Sequence, residues 1–300
     1  MKPEIAFVGL GVMGRPMAAH VARTHPMIAY DVDRSRLDGL TGVEAAGRLA
    51  EVSAAGVVML SLPSTEAVET VVFGDGGLSE HLRPGSTLID LSTTQPIVSR
   101  RIRDVLGEKR IDFLDAPVSG GEQGAHDASL SIMVGGAPEV FARHKDLLSL
   151  MGSSVVHVGD VGSGGIAKLV NNMIVAAAFT SIVEGFSLAA RNDIDLDTLY
   201  HAIRGGWAGS KVLDVSADAI TSGNFAPGGT VELLWKDLGY ARDLARMQDV
   251  PIPVTAAVDQ VFVAGRAAGL GELSQPALIK LWEDVMGREI AGGERTEEST

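Results

Sequence analysis

The stretch Ile5-Ala6-Phe7-Val8-Gly9-Leu10-Gly11-Val12-Met13-Gly14 constrains this chain more than any other. Four apolar residues in succession read as a buried strand. The glycines after them are spaced G-x-G-x-x-G, the turn that carries a strand directly into a helix under a dinucleotide pyrophosphate. The spacing has a reason at each position: a tight turn, close approach of backbone to phosphate, and close packing of helix on strand. The helix then offers unpaired N–H groups and the positive end of its dipole to the anion. Asp31 ends the next apolar run, 17 residues beyond Gly14, where a carboxylate can accept from the adenosine ribose hydroxyls. The same charge opposes a 2′-phosphate, so NAD is expected. Arg34 and Arg36 follow closely, and NADP is the alternative if one of them holds a phosphate. The expected cofactor residues here are Gly9, Leu10, Gly11, Val12, Met13, Gly14 and Asp31.

Downstream, short apolar runs alternate with segments of helical period. Residues 5–8, 27–30, 57–62, 87–91, 113–115, 131–134 and 155–158 read as strands, and 15–23, 65–72 and 97–106 as helices. Such alternation predicts an α/β domain, a mostly parallel sheet with helices on both faces. After Gly165 the pattern changes. Residues 167–190 are almost unbroken helix-formers, apolar on most sides, and a helix of that kind belongs in a core or a subunit interface. Helical patterns follow at 196–203, 212–219, 231–247, 253–267 and 275–285. The expected organisation is an α/β domain over 1–163, an all-helical domain over 164–290 entered through the long helix, and a polar flexible tail at 291–300. No apolar run reads as a membrane span, because Lys168, Asn171, Asn172 and Glu184 interrupt the long helix. The N-terminal apolar stretch is broken by glycines and reads as a strand, not a secretory signal.

Composition narrows the chemistry. A net charge of −13 argues against a nucleic-acid surface, which needs clustered basic residues. It also denies an anionic substrate any help from the global field, so a carboxylate must be held locally. The chain has no cysteine, hence no disulfide, thiolate nucleophile or thiolate metal site, in keeping with a cytoplasmic location. Its seven histidines are scattered, with no pair at ligand spacing, so no metal is expected.

Two further constellations carry chemistry. In Gly162-Ser163-Gly164-Gly165-Ile166-Ala167-Lys168-Leu169-Val170-Asn171-Asn172, glycines loosen the chain before the long helix. Lys168 follows in its first turns, and Asn172 lies four residues on, on the same face. An amine there can move the proton of a reacting hydroxyl or carbonyl, provided that its proton affinity is reduced. A helix N-terminus and a nearby positive ring both act in that direction. Asn172 can hydrogen-bond the same oxygen. In Asp115-Ala116-Pro117-Val118-Ser119-Gly120-Gly121, Ser119 offers a hydroxyl, and Gly120 and Gly121 offer consecutive amides. That set suits a carboxylate without a cationic side chain, although an ordinary surface turn reads the same way.

These elements, in this order, resemble the β-hydroxyacid dehydrogenase family. The motifs that carry the resemblance are GLGVMGRPMA, DLSTTQP at 90–96, DAPVSGG, GSGGIAKLVNN and WKDL at 235–238, and it spans residues 5 to about 286. LDAPVSGGEQGA, GSSVVHVGDVGSG and AIRGGWAGSKVLD are most similar to its tartronate semialdehyde (2-hydroxy-3-oxopropionate) reductase branch. The resemblance implies a Rossmann domain joined to a helical one, and metal-independent hydride transfer on a small hydroxy acid. Lys168 would be the acid/base and Asn172 its assistant, with Ser119, Gly120 and Gly121 on the substrate carboxylate. Leu62, Pro63 and Thr93 would line the nicotinamide side, and Lys236 would approach the cofactor. It also implies a homodimer or homotetramer formed through the helical half. There are departures. Ala128-Ser129-Leu130 stands where Gly-Thr-Leu is usual. Asn172 is the residue of the 3-hydroxyisobutyrate branch, where the reductase branch has glutamine. Lys211 stands where a neutral residue is usual, and it would add a positive charge if its segment borders the substrate. Oxidation of 3-hydroxyisobutyrate or L-threonate is the enzymatic alternative, and a catalytically silent cofactor-binding module the non-enzymatic one.

Overall fold

A computed structural model describes residues 4–226 and 228–292. The chain divides into two compact units, Met1–Lys168 and Leu169–Thr300.

In chain order the first unit holds β1 (Ile5–Val8), α1 (Gly14–Ala22), β2 (Met27–Tyr30), β3 (Val43–Ala45), β4 (Val57–Leu60) and α2 (Thr65–Phe73). Next come α3 (Leu78–His81), β5 (Thr87–Asp90), α4 (Pro96–Glu108), β6 (Asp112–Asp115), β7 (Val118–Ser119) and α5 (Gly121–His126). The unit closes with β8 (Ser131–Gly135), α6 (Pro138–Leu148), β9 (Ser154–Gly159) and the first turns of α7 (Ser163–Arg191). The sheet order is β3-β2-β1-β4-β5-β6-β8-β7, with β9 paired to β8. Pairing is parallel from β3 through β6, and β8 runs antiparallel to both β6 and β7. Successive residues of each strand point to opposite faces. Phe7, Met59, Ile89 and Leu114 accordingly enter one core layer, and Ala6, Val8, Val58, Leu60 and Leu88 enter the other. Both faces of the sheet are covered, as a parallel sheet requires.

The chain leaves β1 towards β2 on one side, and β4 lies on the other. That reversal is the point at which doubly wound sheets open a crevice beyond the strand C-termini. β3 and β7, three and two residues long, stand outside the expected strands because they are too short for periodicity to show. α6 stands outside the expected helices, although its Pro138 lies in the first turn, where proline is favoured.

The second unit is helical: the remainder of α7, then α8 (Leu196–Ile203), α9 (Lys211–Ser222), α10 (Val231–Met247), α11 (Pro253–Ala267) and α12 (Ile279–Met286). From α7, Ala176, Phe179, Val183, Phe186 and Ala190 recur at three- and four-residue intervals. They pack with Leu213, Ile220, Leu238 and Phe262 in one core. Contrary to the sequence expectation, α7 is long and apolar enough by length and composition to cross a membrane. Interrupting polar residues do not offset its alanines and branched side chains. Only one face of the helix enters the core, while Val170, Ile174 and Leu188 are exposed.

The helix begins at Ser163, four residues before its expected start, and the units part at Lys168/Leu169 instead of at 163/164. The cause is tertiary: Asp115 at the end of β6 ties the first turn of α7 to the sheet. Of the tail expected at 291–300, residues 293–300 lie outside the described residues.

Candidate active site

At the end of β1 the three motif glycines separate by what surrounds them. Gly9 has φ +92°, and a Cβ there would overlap the Ser61 carbonyl oxygen. A Cβ on Gly14 would overlap the Gly9 carbonyl oxygen and lie 3.2 Å from the Ser61 Cβ. These two are demanded by the protein's own packing. Gly11 is not: among the described residues beyond its chain neighbours, the only atom within 4 Å of its added Cβ would be Arg36 Nη1, at 3.7 Å. Space held open by glycine where the protein does not need it is space for a ligand to approach the backbone. The entry to α1 carries no side-chain cap at Met13, although its Arg15 N–H already donates to the Gly11 carbonyl oxygen at 3.0 Å and Pro16 has no N–H to offer. Val12 is exposed, whereas the Leu10 side chain is buried in the core.

Asp31 is buried, with Oδ2 accepting from the Leu10 amide at 2.6 Å and Oδ1 from the Asp33 amide at 2.8 Å. It therefore braces the glycine turn as well as standing at the ribose position, and the Leu10 N–H is already spent on it. Arg36 lies between two acids, 3.6 Å from Asp31 and 3.4 Å from Asp33. Ser35 donates to the exposed Asp33 through both amide and hydroxyl, which holds that carboxyl below its ordinary range. Two carboxylates with an arginine already shared between them fit ribose hydroxyls better than a phosphate.

Loops after β4 and β5 are sewn together beside this turn. The Leu62 amide donates to Ser92 Oγ at 2.9 Å, and the Gln95 amide donates to Thr65 Oγ1 at 3.0 Å. Asp90, wholly buried, folds the second loop by accepting from the Ser92 amide at 2.9 Å and Thr94 Oγ1 at 2.6 Å. Burial raises its carboxyl above the ordinary range. Leu62 and Thr93 are half-buried on these loops and Pro63 is exposed.

Ser119 ends β7, half-buried, and pairs in register with Ser131. Gly120 and Gly121 follow with φ +140° and +65°; an added Cβ on Gly120 would lie 3.1 Å from Leu130 Cδ2, whereas among the described residues nothing lies within 4 Å of one on Gly121. Lys168 is half-buried, one helical turn beyond Gly164 on α7.

In the helical unit Asn172 is buried on α7, and its Nδ2 donates to Asp237 Oδ2 at 2.6 Å. Asn171 Nδ2 donates to Asn172 Oδ1 at 2.9 Å, so the amide plane is fixed and one N–H remains for another acceptor. Lys236 Nζ lies 2.9 Å from Asp237 Oδ1 and 4.9 Å from the Tyr240 ring centroid. Asp237 thus orients two expected site residues at once. Within WKDL nothing in the sequence marks it, because a carboxylate beside a lysine reads as a solvated pair until its burial is known. Lys211 is exposed at the first position of α9, after Ser210, whose Oγ accepts from the Leu213 amide. Among the described residues, no three His, Asp or Glu side chains come together to hold a metal ion.

A dinucleotide turn at the switch point of a parallel sheet, with a lysine one turn into the helix that closes the same unit, defines an NAD(P)-dependent dehydrogenase. Residues 4–159 match the NAD binding domain of 6-phosphogluconate dehydrogenase, and 162–282 match the NAD-binding domain of NADP-dependent 3-hydroxyisobutyrate dehydrogenase. The chain belongs to the β-hydroxyacid dehydrogenase family. It is 35% identical over 296 residues to 2-(hydroxymethyl)glutarate dehydrogenase of Eubacterium barkeri, covering 97% of this chain and 98% of that one. It is 34% identical over 293 residues to 2-hydroxy-3-oxopropionate reductase of Escherichia coli, covering 96% and 100%. Among solved structures, the 3-hydroxyisobutyrate dehydrogenase of Mycobacterium tuberculosis with L-serine is similar at a TM-score of 0.84 and 29% identity, covering 94% and 99%.

Proposed function

We propose that this chain is a cytoplasmic, NAD-dependent reductase of 2-hydroxy-3-oxopropionate, forming D-glycerate without a metal ion. One observation carries the reading: Lys168 stands one turn into α7, inside the same compact unit as the glycine turn and the Ser119 loop. Bound nicotinamide supplies the hydride that the aldehyde carbon accepts. The protein's part is to hold the carboxylate, exclude error in orientation and deliver a proton. Ser119 Oγ with the Gly120 and Gly121 amides holds the carboxylate. The Lys168 ammonium gives its proton to the carbonyl oxygen as negative charge develops there, and takes it back in the oxidative direction. Asn172 donates its remaining N–H to the same oxygen. Leu62, Pro63 and Thr93 face the nicotinamide, and Lys236 serves the cofactor. The exposed Val170, Ile174 and Leu188 of α7 are offered to a second copy of the chain, in a homodimer or homotetramer.

The test is a panel of small hydroxy acids and aldehyde acids with both cofactors, followed by absorbance of reduced nicotinamide. We expect the highest kcat/KM on 2-hydroxy-3-oxopropionate and a preference for NADH over NADPH of about tenfold or more, equivalent to roughly 1.4 kcal/mol. Clear preference for 3-hydroxyisobutyrate or L-threonate would overturn the substrate, and preference for NADPH would overturn the role given to Asp31 and Asp33.

A second reading has an observation of its own. Lys211 places a cation at the helix start, and one relative acts on a hydroxymethyl dicarboxylate. If Lys211 meets a second anionic group, Lys211→Thr should lower kcat/KM on dianionic acids by roughly fivefold, an exposed-to-partly-buried ion pair being worth about 1 kcal/mol. Monoanionic acids should be unaffected. Equal loss on both classes would remove this reading.

A further inference from the structure

Asp115 opens the DAPVSGG motif, yet nothing in the proposed chemistry uses it. Its side chain is 2% exposed at the end of β6. Oδ1 accepts from the Gly162 amide and Oδ2 from the Gly165 amide, each at 2.8 Å. Both donors belong to the start of α7, where N–H groups have no partner inside the helix. A cap normally comes from the residue just before the helix. Here it comes from a strand 47 and 50 residues away in sequence.

The surroundings are shaped to this carboxylate. A Cβ on Gly164 would lie 2.5 Å from the Asp115 carbonyl oxygen and 2.9 Å from its Oδ2, and one on Gly135 would overlap Oδ1. The Gly-Ser-Gly-Gly run therefore does not loosen the chain before the helix, as the sequence suggested. Gly164 and Gly165 are already helical, and they admit the sheet close against the helix start. Lys168 lies four residues beyond Gly164, on the same face. Any shift of the first turn is carried to its amine by the rigid helix.

We propose that Asp115 is a positioning residue: its ionised carboxylate clamps the Gly162 and Gly165 amides and so fixes the place from which Lys168 moves its proton. This rests on the assignment of Lys168 as acid/base. A carboxylate accepts through both oxygens, whereas a protonated one presents an O–H to one of two N–H donors. The clamp is then half released. Burial pushes the Asp115 carboxyl up to about 6, the amide bonds oppose the rise, and Asp90, its register partner on β5, adds to it. Beside the clamp, Nε of Arg100 on α4 would lie 3.1 Å from a Cβ on Gly162, the Asp160 carbonyl oxygen would lie 2.8 Å from a Cβ on Gly135, and Lys168 stands one turn further along α7. His157 of β9 is bonded to the Gly136 carbonyl oxygen, and Arg143 and His144 of α6 engage Asp112 and Thr87 at the far end of their strands.

The direction of reaction separates the two groups. In reduction Lys168 must carry a proton, so acid favours it. A fall in the reductive kcat below about pH 6 cannot come from Lys168 and is expected from Asp115. Asp115→Asn should lower the reductive kcat about tenfold at pH 7, within the range that small displacements of reacting groups cost. It should also abolish the acid limb, with KM for NADH little changed. Hydrogen exchange of the native chain supplies a readout independent of activity. After correction for intrinsic rates, protection at residues 162–165 should drop between pH 7 and 5, and be low at all pH in Asp115→Asn. Exchange at these amides that ignores both pH and the substitution overturns the clamp. Released amides with an unmoved kcat overturn its kinetic role. Should Asp115→Asn not fold, the pH dependence of exchange and of the reductive rate in the native chain still decides. Full turnover by Lys168→Ala would sink the Lys168 assignment instead, and leaves the exchange result to be read alone.

Discussion

Lys168→Ala is expected to leave NADH binding within about twofold of the native chain while reductive turnover falls by about 10²–10⁴, the contribution of a positioned acid/base. The cofactor turn, Asp31 and the loops carrying Leu62 and Thr93 are held by bonds that do not involve this amine. Its removal therefore leaves their geometry in place. The amine's contribution is made where charge develops on the substrate oxygen, so kcat and kcat/KM should fall together. Stopped-flow fluorescence of bound NADH and steady-state rates measure the two quantities separately. A variant that lost cofactor affinity in proportion to rate would show that Lys168 binds the cofactor and does not serve the proton.

The second large effect concerns the glycine turn, where two alanine substitutions should behave in opposite ways. Gly14→Ala drives a methyl into the Gly9 carbonyl oxygen and against Ser61, which are backbone and rigid packing. It should cost about 1–3 kcal/mol or more, as overpacking does, and lower Tm by several degrees along with cofactor affinity. Gly11→Ala meets no atom closer than 3.7 Å among the described residues beyond its chain neighbours. Its Tm should stay within about a degree, since Ala in place of Gly also loses less backbone entropy on folding. NADH affinity should nevertheless fall about tenfold or more, because the methyl occupies the approach to the pyrophosphate. Calorimetry of both variants with and without NADH makes the comparison. Unchanged affinity in Gly11→Ala would mean that the dinucleotide does not pass over this turn.

Strands β1, β2, β4 and β5 were legible as short apolar runs, and helices α10 and α11 by their period, because each of these signals lies within one element. Phe7 and Met59 on one face and Ala6 and Val58 on the other are a two-residue period, and the α10 and α11 bounds match the sequence reading residue for residue. The candidate site was legible as a set of motifs, since each lies on one turn of chain: Gly9 to Gly14, Ser119 to Gly121, Lys168 to Asn172. What escaped were the roles that depend on a partner distant in sequence. Asp237 gains meaning only when Asn172, 65 residues away, is bonded to it.

The sequence by itself determined the local grammar: which runs become strands, where a dinucleotide turn must form, and which amine stands at the head of the long helix. Those follow from side-chain period, glycine spacing and helix polarity, all properties of neighbours along the chain. Tertiary structure alone decided where α7 starts and which carboxylate caps it. Asp115 and Gly162 are brought together by sheet order, and a helix end takes its cap from whichever acceptor the fold puts there. It also decided which glycines serve packing and which leave room for a ligand, because that depends on atoms from other strands.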